Sequence, residues 1–145
     1  MQQQSNGRLC VFLDTNVLAA YLRGEPPISQ IFSNEVLKRV RFAINPIVLQ
    51  ELFFLAETHK YPEILDNLQA EVSMLPLNLE RAEEYLQQAN TLRNLLAHSN
   101  DILILSSAAD CDYLVTYDRA LRSLPTSKPQ IVTPEQLLSQ LGTKV

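Results

Sequence analysis

Glycine is scarce in this chain, three in 145 residues, and there are only two cysteines and two histidines. Three scattered glycines cannot build a glycine-rich phosphate loop, which excludes P-loop and dinucleotide-binding readings. His59 and His98 have no metal-ligand spacing and are expected in loops or on the surface. Cys10 and Cys111 are expected to remain reduced as small buried hydrophobes, because the polar start Met1-Gln2-Gln3-Gln4-Ser5-Asn6 has no apolar secretory core. No apolar run approaches the ~18 residues of a membrane span, so no membrane association and a cytoplasmic location are expected. The longest runs, Leu52–Ala56 and Ile102–Leu105, are core-sized. Nor is positive charge in excess: 12 basic residues against 16 acidic ones give a net charge of −4. Bulk electrostatic attraction to nucleic acid is thereby disfavoured, although a local basic patch is not.

What is present is ordinary globular material, 46% hydrophobic and 19% charged. A chain of this size buries roughly 70% of its unfolded surface and needs no metal merely to fold. One domain over residues 1–145 is expected. Strand-length apolar runs occur at Arg8–Leu13, Arg41–Ile44, Glu71–Leu77, Tyr113–Thr116 and Ile131–Val132. Between them lie helical patterns. Thr15 or Asn16 can cap a helix to about Arg23, and Ile28–Val40 suits a second. Asn45-Pro46 opens a helix to about His59. Another is expected after Pro62, and Leu79–Ala97 keeps helical apolar spacing throughout. Ser99-Asn100 would cap Asp101–Asp110, and Thr133-Pro134-Glu135 opens the last helix. Apolar rather than alternating strands, separated by helices, imply a parallel sheet covered on both faces, an α/β fold.

In open parallel sheets, ligands bind beyond the carboxyl ends of the strands. Asp14 and Asp118 fall there, and Asp101 lies in the first turn of a helix, where the amide dipoles favour an anion. Glu51 sits mid-helix among Ile47, Val48, Leu52 and Leu55, where a charge wants a partner or marks the edge of the apolar face. Taken singly, each has an ordinary structural explanation: a turn, a dipole complement, a solvated helix edge. Together they form a pattern. Val11-Phe12-Leu13-Asp14-Thr15-Asn16-Val17-Leu18 resembles the opening strand and first acid of the PIN-domain nucleases. Val48-Leu49-Gln50-Glu51-Leu52 resembles their glutamate-bearing helix, and Asn100–Ala108 their third acidic site. Leu114-Val115-Thr116-Tyr117-Asp118 is similar to their closing strand with Thr-x-Asp. The size and motif set resemble the VapC-like toxins and related stand-alone bacterial PIN proteins.

The resemblance implies a three-layer α/β/α sandwich with a parallel sheet of about five strands, and a divalent-metal-dependent endonuclease, usually acting on RNA. Asp14, Glu51, Asp101 and Asp118 would be the catalytic, metal-binding set for Mg²⁺ or Mn²⁺. Asn16 and Thr116 would stand behind them or orient water. An antitoxin that holds a toxin inactive, and a homodimer, are further implied partners. The chemistry suits the residues, because Mg²⁺ prefers carboxylate and water oxygens to imidazole. Two carboxylates ~5 Å apart repel by roughly 3 kcal/mol at an effective dielectric of 20, so such a cluster must bind cations or take up protons. At least one raised carboxylate pKa is therefore expected in the metal-free protein. For RNA contact, Lys38, Arg39 and Arg41 form the densest basic cluster, and Arg23, Arg119 and Arg122 lie near expected strand-end loops, the last two just after Asp118. Tyr113, Tyr117, Phe53 and Phe54 are expected in the core. Haloacid-dehalogenase-type and receiver-type chemistry lack their required partners, since Asn16 stands where a second aspartate is needed. The rival reading is a PIN-like scaffold that binds RNA or protein without catalysis.

Overall fold

A computed structural model describes residues 7–26, 28–59, 72–88, 99–124, 126 and 128–142, with backbone alone for 56–59, 88 and 99. Five strands, β1 (Leu9–Leu13), β2 (Val40–Ile44), β3 (Val72–Met74), β4 (Tyr113–Val115) and β5 (Gln130–Val132), form one sheet in the order β3-β2-β1-β4-β5. Every neighbouring pair is parallel. Seven helices accompany them among the described residues: α1 (Thr15–Leu22), α2 (Asn34–Leu37), α3 (Pro46–His59), α4 (Leu79–Gln88), α5 (Ser99–Ala108), α6 (Arg119–Arg122) and α7 (Pro134–Gln140). The result is the expected three-layer α/β/α sandwich. Val11, Phe12, Leu13, Phe42, Ala43, Ile44, Leu114 and Val115 are all buried, as strands covered on both faces must be.

Chain order leaves β1 in the centre. It is followed by β2 and β3 on one side, after which the chain crosses to β4 and β5 on the other. The crevice between the carboxyl ends of β1 and β4 is therefore the topological switch point, the place where such sheets bind ligands. At the opposite end the two strands are tied together. Cys10 N–H donates to Asp112 Oδ2 (2.8 Å) and Asp112 N–H to the Cys10 carbonyl (2.9 Å).

Several expectations are corrected. Strand β4 enters beside β1, which sets Cys10 and Cys111 side by side with their Cα atoms 4.8 Å apart, a pairing the sequence reading did not anticipate. The helix expected over Ile28–Val40 is instead a 3₁₀ turn, Ile28–Phe32, followed by α2. Ser33 interrupts it by accepting from Val36 N–H (3.3 Å), capping a new helix where the old one would have continued. Helix α5 begins at Ser99, so Asn100 lies within its first turn rather than before it. Phe53 and Phe54 are exposed, 48% and 61%, because Val48 and Leu52 supply the inward stripe of α3 and the next two positions turn away. The helix expected after Pro62, and the Ala89–Ala97 end of the long helix, lie outside the described residues. No described helix is long and apolar enough to cross a membrane.

Asn45 fixes how α3 leaves β2. Its side chain is fully buried; Oδ1 accepts from Val48 N–H (3.1 Å), and Nδ2 donates to Ser107 Oγ (2.9 Å) and the Leu103 carbonyl (3.2 Å) of α5. Asn45→Ala removes a cap and strands buried polar groups, so it is expected to lower stability by about 2–3 kcal/mol. Urea unfolding followed by circular dichroism measures this, and a loss below ~0.5 kcal/mol would contradict the role assigned to Asn45.

Candidate active site

A cavity of about 720 Å³ opens at the switch point. Asp14, Glu51, Asp101 and Asp118 all line it, with Thr15, Asn16, Asn100 and Arg23 among the other polar residues. Each acid arrives by its own local logic. Asp14 follows β1 and caps α1, its Oδ1 accepting from Thr15 N–H (2.7 Å). The cap expected of Thr15 or Asn16 is thus made by Asp14 itself. Asp118 follows β4 and caps α6 through Oδ1, accepting from Ala120 N–H (2.8 Å) and Leu121 N–H (3.3 Å). Asp101 sits in the first turn of α5, buried to 8% exposure. Glu51 comes from the middle of α3.

Asp14 is the most constrained. Only 6% exposed, it lies beside the fully buried Thr116, whose hydroxyl donates to Asp14 Oδ2 at 2.7 Å. Thr116 Oγ1 in turn accepts from Asp118 N–H (3.0 Å), so one hydroxyl couples the acids at the ends of β1 and β4. Asn16 crosses the same crevice. Its Nδ2 lies 3.4 Å from Asp14 Oδ2 and 3.3 Å from Thr116 Oγ1, and its Oδ1 accepts from Tyr117 N–H (3.1 Å). Burial raises the Asp14 pKa above its ordinary value of 3.8. The hydrogen bonds from Thr116 and Thr15 oppose that rise, whereas the nearby charges of Glu51 and Asp118 add to it. A raised carboxylate pKa, as expected from crowding, is thus present, with desolvation the larger cause.

Thr15 and Asn100 were not among the expected site residues. Glu51 Oε1 accepts from Thr15 Oγ1, and Glu51 Oε2 accepts from Asn100 Nδ2 (3.0 Å). Donors from α1 and α5 therefore hold both oxygens of a side chain carried on α3. The sequence signal for this was the polar residue next to each of two acids, which reads there as capping alone. Of the basic residues singled out for RNA contact, Arg23 lines the cavity and the other five do not. Arg119 and Arg122 lie in α6 just beyond Asp118. Lys38, Arg39 and Arg41 surround the start of β2, at the amino end of the sheet, and Arg39 Nη1 is bonded to the Leu141 carbonyl.

The donor set fits a hard divalent ion: carboxylates and amide oxygens, with no histidine or cysteine among the described residues of the cavity wall. Among the described residues, no three His, Cys, Asp or Glu converge into a ready cage.

An acid-lined crevice thus lies at the switch point of a 3-2-1-4-5 parallel sheet. The chain belongs to the PIN-domain family, whose family model matches residues 11–126. Its fold is similar to that of a chain in the crystal structure of VapBC2 from Rickettsia felis bound to a DNA fragment from their promoter. The TM-score is 0.67 at 19% identity, covering 86% of this chain and 97% of that one. It is also similar to a chain of VapBC-1 from nontypeable Haemophilus influenzae, with TM-score 0.60, 22% identity and coverage of 88% and 99%. No curated protein matches the sequence.

The sign of the Asp14 shift has a measurable consequence. A carboxyl with a higher pKa folded than unfolded costs stability as pH rises from the unfolded pKa through the folded one. Asp14→Asn removes that cost. In EDTA the variant is expected to melt above the native chain at neutral pH, with the difference closing at acid pH where both folded and unfolded native chains are protonated. Thermal unfolding across the range checks this, and a variant melting lower at neutral pH would contradict it.

Proposed function

We propose that the protein is a divalent-metal-dependent endoribonuclease, the toxin of a toxin–antitoxin pair. The observation that carries the reading is the desolvated Asp14, pressed upon by Glu51 and Asp118 in a cavity that Asp101 also lines. Carboxylates gathered in this way serve a cation better than they serve the fold. PIN-family membership and the VapBC fold likeness support the nuclease and the toxin parts of the reading.

Asp14, Glu51, Asp101 and Asp118 would hold Mg²⁺ or Mn²⁺. Bound there, the ion would supply an activated water and offset charge on the scissile phosphate. The chain's own residues do the rest. Thr116 and the α1 amide keep Asp14 ionisable despite its burial, and Asn16 locks the crevice to the backbone of Tyr117. Thr15 and Asn100 fix the Glu51 carboxylate, leaving a lone pair on each oxygen to meet an ion or its water. An antitoxin segment would cover the same cavity. The exposed Phe53, Leu79 and Leu86 leave apolar surface for the homodimer that the resemblance implies.

Mn²⁺-dependent cleavage of a labelled RNA with mixed single-stranded and structured regions tests the reading. Asp14→Asn is expected to lose at least about 100-fold in rate. Native protein that binds no divalent ion and leaves the RNA intact would overturn the reading and favour the scaffold.

Residues that orient a metal ligand from behind commonly contribute roughly 10–100-fold in metal affinity or activity. Asn100→Ala is therefore expected to weaken Mn²⁺ binding by about tenfold in calorimetry, with Asn100→Gln recovering part of it. Unchanged affinity would leave Asn100 as a packing residue.

A further inference from the structure

Among the described residues that line the acidic cavity, Arg23 is the only lysine or arginine. Its position is dictated by how α1 ends. Gly24 adopts φ +73°, a conformation that side chains resist, and the chain turns back on itself. Gly24 N–H bonds the Tyr21 carbonyl (2.9 Å) and Glu25 N–H bonds the Ala20 carbonyl (3.2 Å), the paired bonds of a Schellman ending. That turn sets residues 23 and 25 on the same side, and Arg23 Nε meets Glu25 Oε2 at 2.5 Å. The same helix starts at Asp14. At about 1.5 Å per residue, the Arg23 backbone lies about 13 Å from that cap along the axis. Its long side chain contributes to the cavity wall.

We infer that Arg23 grips the phosphodiester backbone of the substrate beside the carboxylates, and that Glu25 is an internal competitor which the phosphate displaces. The inference rests on the nuclease reading of the same cavity. A polyanion entering a cavity of four acids meets repulsion on every wall but this one, and a guanidinium matches phosphate in two-point geometry. Glu25 presents the same kind of acceptor to the same donors. With the two side chains 49% and 48% exposed, their pairing contributes no more than about fivefold to an equilibrium constant, weak enough for substrate to exchange it. Arg119, Arg122, Lys38, Arg39 and Arg41 do not line the cavity.

The experiment is fluorescence anisotropy of a short labelled single-stranded RNA bound to the full chain. Ca²⁺ replaces the supporting ion, and gels verify that the RNA stays intact. Arg23→Ala is expected to weaken binding roughly tenfold and to reduce the slope of log affinity against log salt by about 0.7, one phosphate contact on a single strand. Glu25→Gln is expected to tighten binding by up to about fivefold. In an Arg23→Ala background, Glu25→Gln should then have little further effect. If Glu25→Gln tightens binding equally with and without Arg23, Glu25 acts only as a distant charge and the competitor role is overturned. If Arg23→Ala leaves both affinity and salt slope unchanged while the native chain binds and cleaves RNA, the inference fails and the nuclease reading stands. If the native chain neither binds nor cleaves RNA, both fall together.

Discussion

The structure depends on keeping one carboxylate out of water at the end of the central strand. Asp14 terminates β1, caps α1 and accepts a hydrogen bond from the buried Thr116 hydroxyl, so sheet, helix and crevice meet on its two oxygens. Desolvation opposes this placement and the hydrogen bonds answer only part of the opposition. The remainder is a standing pressure toward a proton or a cation. The neighbouring polar groups are arranged about that unmet charge, from the threonine that also receives Asp118 N–H to the asparagine that spans to Tyr117.

Glu51 illustrates a different solution to the same difficulty. It stands on the edge of an apolar helix, where Val48 and Leu52 are fully buried one turn away and one residue away. Two neutral donors, Thr15 and Asn100, hold it in place without cancelling its charge. Neutral donors fix geometry and leave the field intact, whereas a lysine or arginine in their place would have neutralised the group. The site thus concentrates negative charge, and the Arg23 guanidinium, from a residue of its wall, pairs with Glu25.

Much of this was legible in the sequence because it rests on local rules. Uninterrupted apolar runs gave buried parallel strands, and an acid after each of two of them gave the crevice. Asn45-Pro46 announced the start of α3. What was not legible depends on residues distant in the chain. Ser33 could be recognised as a cap only once the 3₁₀ turn before it was seen. Phe53 and Phe54 are as hydrophobic as any core pair, and only the direction of α3 turns them outward. The contact of Asn100 with Glu51 spans 49 residues. Arg23 was legible as a basic residue near a strand-end loop, whereas the basic run from Lys38 to Arg41 was more conspicuous in sequence but sits at the far end of the sheet.

Two of the four acids are also helix caps. Asp14 starts α1 and Asp118 starts α6, so each position serves the folded chain through a capping oxygen that asparagine would equally supply. Glu51 caps nothing, because it lies in the middle of α3, but it ties α3 to Thr15 of α1 and Asn100 of α5. A descendant of this chain that had lost its activity would accordingly keep a capping side chain, aspartate or asparagine, at positions 14 and 118. Within a lineage, persistence of the carboxylate over the neutral cap is what testifies to a working site.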